Sequence, residues 1–237
     1  MGMDAQKPNP RRRRSTKGAQ TRELIFAAAL ERFSSDGFES ASMRAIAQDA
    51  GVAVGLAYRY FPSKDALVAE LYGRLLDEWA ERASSMPKGK WIERSLWLTR
   101  LSLEVLAPHR LLLRALLGPM LAGDPTASPL HNPASRAKGE PEFLRAVRDA
   151  SDAPRNAVEL GQAAYLGQLA ILFFWTVDRS PGLRATRGLL AALEGLAPLV
   201  AFGLKTPILR TRLLALAEMA RDGLAGDDRD APVEVRP

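Results

Sequence analysis

The stretch Gly37–Leu71, GFESASMRAIAQDAGVAVGLAYRYFPSKDALVAEL, decides the fold of this chain. It predicts two short helices, residues 43–50 and about 54–61, joined by a tight turn at Gly51, where any side chain would be strained. The small residue Ala47 lets the two helices approach, and the glycine four positions later turns the chain. This spacing is typical of a helix-turn-helix, although many helical hairpins satisfy it as well.

The second of these helices carries an exposed surface that has no role in a core. Its beginning and its outer side present two small residues followed by a tyrosine and an arginine. Exposed tyrosine and arginine are suited to contacts with phosphates and with base edges in the major groove of DNA. The predicted surface consists of Val54, Gly55, Tyr58 and Arg59, with Tyr60 beside them, and the core candidates are Leu56, Ala57 and Phe61.

Lys64 stands at the beginning of the next predicted helix. A cation in the first turn opposes the helix dipole, so the lysine is not placed there to stabilise its own helix. Beside free backbone amides it would complete a phosphate site, and the alternative is a solvated lysine near Asp65.

Charge is unevenly distributed over the 237 residues. The formal net charge of +6 lies entirely in residues 1–22, which hold seven basic residues against one aspartate. The rest of the chain is balanced. Residues 1–16, which include the run Arg11–Arg14, therefore form a basic arm that attracts polyanions, DNA above all. The arm either enters the minor groove or only raises non-specific affinity.

Metal and cofactor chemistry is not expected. The chain has no cysteine, which excludes disulfides, thiolate metal sites and cysteine nucleophiles. His109 and His131 stand in no metal-binding spacing. We therefore predict no metal site and no cofactor.

The remainder of the chain reads as helix throughout, so the fold class is all-α. A mobile loop is expected where prolines cluster, at residues 122–141. The predicted helices are residues 17–35, 43–50, 54–61, 64–84, 91–107 and 108–121, a short one after Pro141, then 155–177, 183–202 and 206–223.

One segment, Leu160–Val177, has 18 residues without a charge and approaches the length of a membrane span. It contains two glutamines and two glycines and has no basic flank, so a helix buried in a core and a subunit interface is the preferred interpretation. We expect a cytoplasmic protein without a membrane partner.

Residues 18–71 closely resemble the DNA-binding domain of TetR-type transcriptional repressors. The run GVAVGLAYRYFPSKDAL is the most specific part. The match runs through Ile25, Ala28, Phe33, Gly37, Phe38, Ile46, Ala47, Ala50, Gly51, Val52, Tyr58, Tyr60, Phe61, Lys64 and Leu67.

The resemblance implies roles for individual residues at a DNA surface. A base or phosphate contact falls on Arg44 and a phosphate contact on Lys64. Base edges are met at Val54 and Gly55, and the groove and backbone at Tyr58, Arg59 and Tyr60. Two departures matter: Ala53 replaces the usual serine or threonine cap, and Val54–Gly55 replaces a more polar helix start. Readout would then depend on Arg44, on contact of Val54 with a thymine methyl group, and on the arm.

The resemblance also implies a homodimer formed through residues 155–202, a palindromic operator, and a small-molecule effector whose binding shifts the helix at residues 64–84. An apolar or aromatic effector is preferred because few ionisable groups fall on the apolar stripes. The candidate pocket residues, which are equally well plain core, are Trp97, Leu101, Val105, Leu112, Leu116, Met120, Phe143, Tyr165 and Phe173.

The predicted organisation has five parts. They are a basic flexible arm (1–16), a helix-turn-helix DNA-binding domain (17–62), a connecting helix (63–84), a ligand-binding and dimerisation domain (85–223) and a flexible tail (224–237).

Two other classes stay open. One is a helical enzyme with a basic tail, but the sequence has no nucleophile elbow, phosphate-binding loop or dinucleotide glycine pattern. The other is a membrane-associated regulator that uses Leu160–Val177. The preferred function is a DNA-binding repressor.

Overall fold

The computed structural model describes residues 10–114 and 133–203, together with the single positions 206, 211, 212, 215 and 219. Within these residues the regular secondary structure is entirely helical, which confirms the all-α prediction. The helices are α1 (Pro10–Ser35), α2 (Met43–Asp49), α3 (Val54–Tyr60), α4 (Lys64–Ala83), α5 (Trp91–Leu106), α6 (Arg110–Leu113), α7 (Pro133–Arg148), α8 (Ala157–Val177) and α9 (Arg184–Gly203), with 3-10 turns at Ala107–His109 and Pro181–Leu183.

The chain divides into two compact units. Among the described residues, one unit contains residues 10–72 and 111–114, and the other contains residues 73–110 and 133–203. The helix α4 contributes its first nine residues to the first unit and its remainder to the second.

The first helix begins earlier than the sequence predicts. It starts at Pro10 instead of Lys17, so that residues 10–16 of the expected arm are helical. Proline is well suited to the first position of a helix because its missing N–H has no partner there. The four arginines that follow are good helix formers.

The first unit is built around a small core shared by α1, α2 and α3. Two glycines with positive φ, Gly37 at +81° and Gly51 at +66°, make the turns between these helices. Ser42 caps α2 by accepting a hydrogen bond from the backbone N–H of Ala45. The core side chains are nearly or fully buried and include Ile25, Ala29, Phe33, Ile46, Ala47, Ala57 and Phe61.

The predicted loop at residues 122–141 is wrong in its C-terminal part. Residues 133–141 are helical, and Pro141 lies inside α7. An internal proline removes a helix hydrogen bond, but burial of the following face outweighs this loss. Phe143, Ala146 and Val147 of that face are fully buried. Residues 122–132 lie outside the described part of the chain, as do residues 115–121 of the predicted helix 108–121 and most of the last predicted helix.

The second unit is organised by α7, which packs against α8 and α5. Gly161 of α8 permits this close contact, because a Cβ there would lie 2.8 Å from Cα of Leu144. The guanidinium of Arg94 is buried and donates hydrogen bonds to the carbonyl oxygens of Pro87, Arg145 and Ala146. It thereby satisfies the carbonyl of Ala146 in the last turn of α7 and ties this turn to Pro87.

The apolar helix α8 is confirmed over nearly the predicted range. It is long and apolar enough to cross a membrane, with a mean hydropathy of 1.3, but half of this stretch is buried within the protein. Since the core helix of a soluble protein passes the same test, length and composition give only weak evidence for a membrane span.

Asp178 connects α8 to α9. Its carboxylate accepts hydrogen bonds from the backbone N–H of Ser180 and from both the N–H and the hydroxyl of Thr186. The hydrogen bond from the Thr186 hydroxyl is the main cause that lowers the pKa of Asp178 well below its usual value. The ionised carboxylate therefore holds the turn at Pro181–Leu183.

Candidate functional site

The predicted recognition helix α3 presents most of its surface to solvent. Among its seven residues only Ala57 is fully buried, and Phe61 behind it enters the core. Tyr58 is 50% exposed and Val54 is 36% exposed. Gly55 and Arg59 are exposed as well. A helix that buries so little apolar surface gains little from its own packing and is held by the turns on either side.

The beginning of α3 has the departure expected from the sequence. Ala53 occupies the N-cap position and forms no side-chain hydrogen bond. The backbone instead closes the turn, because Val52 N–H donates to the carbonyl of Ala47 at 2.9 Å. The small side chains of Val54 and Gly55 leave this end of the helix sterically open.

Arg44 is the second residue of α2 and is exposed. No described residue forms a hydrogen bond or ion pair with its guanidinium. An unpaired arginine next to an open helix start is suited to a phosphate or base contact.

Tyr60 differs from its neighbours because its ring lies towards α1. A Cβ at Gly18 would be 3.3 Å from the Tyr60 hydroxyl oxygen. The side chain is half-buried. Tyr60 therefore supports the contact between α3 and α1, in addition to any role on the outer surface.

Lys64 is engaged within the protein. Its ammonium donates to the carbonyl oxygens of Phe38 and Glu39 at 2.7 and 3.2 Å, and lies 4.6 Å from the centroid of the Phe38 ring. These contacts fix the turn between α1 and α2. They supply the reason, missing from the sequence, for a cation in the first turn of α4. The phosphate contact of Lys64 stays a prediction.

Two arginines hold α1, α2 and α3 in place. Neither was identified from the sequence. Arg32 of α1 forms a bidentate pair with Asp49 at the end of α2, with distances of 2.7 and 2.8 Å, and also donates to Asp36. The hydrogen bond from Arg32 lowers the pKa of Asp36. The only sequence signal was the i, i+4 spacing of Arg32 and Asp36.

The second of these residues is Arg22. Its guanidinium forms a bidentate pair with Glu70 at 2.7 and 3.0 Å and lies 4.6 Å from the centroid of the Phe61 ring. Phe61 is the residue that ends α3. Because the partners are far apart in sequence, no local pattern could predict this support.

The predicted pocket residues do not form one group. Phe143 is fully buried between Trp79 and Tyr165, with ring centroids 6.5 and 6.0 Å away. Burial raises the pKa of Tyr165 to about 12. Leu101 and Val105 are buried, whereas Trp97, Leu112 and Phe173 are half-buried. Leu116 and Met120 lie outside the described residues.

Metal binding has no candidate in the part of the chain that the structure describes. There, no three His, Cys, Asp or Glu side chains come together in a way that could hold an ion.

Known proteins resemble this chain in its N-terminal part. The family described as "Bacterial regulatory proteins, tetR family" matches residues 25–71. The HTH-type transcriptional repressor KstR of Rhodococcus jostii is 39% identical over 75 residues, which cover 32% of this chain and 35% of that protein. The HTH-type transcriptional regulator UidR of Escherichia coli is 45% identical over 53 residues, which cover 22% and 27%. The chain thus matches about a third of the length of these relatives, which are named as regulators.

Solved structures extend the likeness to the fold of most of the chain. FadR of Thermus thermophilus, a TetR family transcriptional repressor crystallised in complex with lauroyl-CoA, has a TM-score of 0.53 at 23% identity and covers 74% of this chain and 92% of its own. A tetR-family transcriptional regulator from Streptomyces coelicolor has a TM-score of 0.55 at 19% identity and covers 85% and 90%. At these identities the likeness concerns the fold alone. Residues 25–71 thus resemble the TetR family of bacterial regulatory proteins, and the helical fold of the chain resembles that of solved TetR-type regulators.

Proposed function

We propose that this protein is a transcriptional regulator that binds a palindromic operator as a homodimer and represses transcription until a small molecule releases it. The observation that carries the proposal is the surface formed by Arg44, Val54, Gly55, Tyr58 and Arg59. These side chains are exposed on the second and third helices of a helix-turn-helix. Within the described part of the chain, no hydrogen bond or ion pair ties the guanidinium of Arg44 or Arg59 to another residue.

The chemistry of this surface suits duplex DNA. Arg44 and Arg59 supply guanidinium groups for phosphates or guanine edges. Tyr58 offers a hydroxyl group for the backbone, and Val54 a methyl group for thymine. Since direct hydrogen-bonding groups are few, sequence preference depends on Arg44 and on groove shape. The basic residues 11–14 add non-specific affinity that falls with salt.

Dimerisation through residues 155–202 is supported by exposed apolar side chains on the last two described helices. Phe174 and Val177 of α8 are more than a third exposed, and Leu196, Leu199 and Phe202 of α9 are 48%, 65% and 69% exposed. Such side chains are costly in water and are covered in a symmetric dimer. A two-fold axis would place two copies of α3 on two half-sites.

The proposal also assigns a function to each region predicted from the sequence. The arm (1–16) and the helix-turn-helix (17–62) bind DNA, and residues 63–84 connect them to the ligand-binding and dimerisation domain (85–223). A soluble, cytoplasmic location fits a protein whose target is DNA. The neighbour FadR is described with lauroyl-CoA, which encourages a search for an apolar or aromatic effector here.

Footprinting tests the proposal on DNA taken from immediately upstream of the protein's own gene. The expected result is protection of two half-sites related by two-fold symmetry and spaced by about one helical turn, roughly 34–36 Å, or a multiple of it. Light scattering of the complex should show an even number of chains. Protection of a single asymmetric site by one chain would contradict the dimeric operator complex.

A further inference from the structure

A cavity of about 210 Å³ that is partly open to solvent lies among α5, α8 and α9 in the second unit. Its wall is mainly apolar and includes Leu193 and Leu196 of α9, with Gly167 on α8. No ionisable side chain contributes to the wall. None of the pocket residues predicted from the sequence lines it, so this cavity is a separate candidate for a binding site.

Two hydroxyl groups of α5 face this cavity, and each already donates its proton in a hydrogen bond to a backbone carbonyl of the same helix. Ser95 donates to the carbonyl oxygen of Trp91 at 2.8 Å, and Thr99 donates to the carbonyl oxygen of Ser95 at 3.0 Å. Both side chains line the cavity. A hydroxyl oxygen whose proton is donated still has lone pairs that accept hydrogen bonds. This side of the cavity therefore offers acceptors.

Gln168 of α8 provides an unpaired polar group in the same wall. It is only 6% exposed, and its amide oxygen lies 3.1 Å from the Ser102 hydroxyl oxygen. The same hydroxyl lies 3.0 Å from the carbonyl oxygen of Leu98. One hydroxyl proton cannot serve both acceptors.

Two arrangements of the Gln168 amide satisfy Ser102. If Ser102 donates to the Leu98 carbonyl, the NH₂ group of Gln168 donates to Ser102, and the amide oxygen of Gln168 has no hydrogen-bond donor. If Ser102 donates to Gln168, the amide NH₂ is left over. In either arrangement one half of a nine-tenths buried amide has no partner among the described residues. This free half is not sealed inside the protein but is reached from the cavity, where a ligand can pair with it.

The acidic side chains near the cavity have partners within the protein. A second compartment of about 340 Å³ shares Ile92, Leu96 and Ala197 with the first. Among the acidic side chains that line it, Glu93 accepts from the backbone N–H of Lys90, Asp152 accepts from that of Trp91, and Glu194 pairs with Arg100. The preference for a neutral ligand follows from the first cavity, whose wall holds no ionisable side chain to pair with an ion.

The volume limits the size of the ligand. Sites for drug-sized molecules have roughly 300–1,000 Å³, and a cavity of about 150 Å³ holds a benzene ring. The cavity among α5, α8 and α9 lies between these values and suits one ring with a short substituent, or an equally short chain.

We propose that this cavity binds a small, neutral, mainly apolar molecule that carries one hydroxyl group, with Gln168 pairing the hydroxyl and Ser95 or Thr99 able to accept its proton. A hydroxyl both donates and accepts, so it satisfies either half of the Gln168 amide. This molecule is the effector, a part of the inference that rests on the proposed function.

Three matched probes test the inference with the full chain: 4-ethylphenol, ethylbenzene and 4-ethylbenzoate. Ligand-observed NMR titrations should show that 4-ethylphenol binds roughly 3- to 10-fold more tightly than ethylbenzene, as expected for one additional hydrogen bond. The charged benzoate should bind more weakly than both. Absence of binding by 4-ethylphenol, or a preference for the benzoate, would overturn the proposal.

Two pairs of variants localise the binding. Gln168→Leu should abolish the preference for the phenol over ethylbenzene, whereas Gln162→Leu on the same helix should leave it unchanged. Gly167→Leu should abolish binding of both neutral probes, because a Cβ there meets no atom within 4 Å and the side chain is free to fill the cavity. Gly73→Leu, at an equally open helical glycine outside the wall, is its control. A phenol preference that persists in folded Gln168→Leu would contradict the role of Gln168.

Operator binding separates this inference from the proposed function. The anisotropy of labelled upstream DNA is measured with and without saturating 4-ethylphenol. Release of DNA supports the effector role. Binding of the phenol without a change in DNA affinity overturns that role and leaves the binding site established. Failure of the ligand-free protein to bind any upstream DNA contradicts the proposed function, whatever the NMR titrations show.

Discussion

The short helices α2 and α3 and the long helices α8 and α9 expose opposite kinds of surface. In the first pair the exposed side chains include arginines and a tyrosine, and the apolar ones other than Val54 are buried or half-buried. In the second pair leucine and phenylalanine are exposed although much of α8 is buried. The chemistry of an exposed polar group limits the partner it can bind, whereas a patch of exposed apolar groups indicates only that something covers it.

This difference explains why one region was easier to interpret from sequence than the other. A tyrosine or arginine without a core role has few reasons to stand at a fixed helical spacing, so its identity suggests a function. A leucine on α9 serves equally well in a core, at a ligand or at a subunit interface. Only the structure shows that Leu193 lines a cavity and that Leu199 is exposed.

The largest effect is expected from removing a buried aromatic side chain of the second unit. Phe143→Ala deletes a fully buried ring between Trp79 and Tyr165 and should lower the free energy of unfolding by about 3–5 kcal/mol. Tyr58→Ala, at an exposed ring of α3, should change it by less than about 0.5 kcal/mol. Urea denaturation followed by circular dichroism measures both. Equal losses would mean that Tyr58 is a packing residue.

The next effect concerns the dimer. Leu199→Ser places a polar group on the apolar surface of α9. Each substituted residue should weaken association by about 1–2 kcal/mol, and a symmetric dimer contains the substitution twice. Leu111→Ser, at a leucine that is 73% exposed outside this surface, is the control. Sedimentation velocity over a range of concentrations gives the dissociation constant. An unchanged constant in Leu199→Ser would remove this residue from the interface.

Lys64 allows the structural and the DNA-binding roles to be separated. Lys64→Met removes its hydrogen bonds to the turn between α1 and α2 and should cost about 1 kcal/mol of stability. Arg59→Ala, which removes no described contact, should lower DNA affinity without this cost. Thermal unfolding and DNA titration of both variants give the two quantities. If Lys64→Met keeps full stability, the ammonium is not a support for this turn.

The smallest change that we expect is a pH-dependent one at the start of α9. The folded-state pKa of Asp178 is lowered, so its stabilising contribution is complete above the unfolded value of about 3.9 and is lost as the pH falls through the folded value. The difference in Tm between the wild type and Asp178→Asn should therefore be widest near neutral pH and shrink below about pH 4. A difference that is constant from pH 3 to pH 7 would show that the carboxylate charge is not involved.

Much of the fold was predictable because short-range rules control it. Gly37 and Gly51 adopt the positive φ that their positions require, and Ser42 caps α2 as its residue type predicts. The helix from Pro133 was missed because local proline content argued against it, while burial of Phe143 and Val147 decides in its favour. Burial depends on packing against α5 and α8, which no pattern within the helix itself reveals.

The exposed residues of the predicted DNA surface could be identified from the sequence, but the contacts that hold its helices in place could not. Tyr58 and Arg59 are exposed as predicted. The contact of Lys64 with the Phe38 carbonyl, and the pair between Arg22 and Glu70, join residues 26 and 48 positions apart. Such pairs have no local signature. The same holds for the cavity, whose wall comes from three helices.

The most direct test is fluorescence anisotropy of a labelled upstream DNA fragment, titrated at several salt concentrations with the wild type, Tyr58→Ala and the control Leu111→Ala. We predict salt-dependent binding that is specific for the upstream fragment over unrelated DNA. Tyr58→Ala should weaken it by about 1–3 kcal/mol, and Leu111→Ala should leave it unchanged. Equal affinity of wild type and Tyr58→Ala for the upstream fragment, with both proteins folded, would contradict the assignment of α3 as the DNA-reading helix.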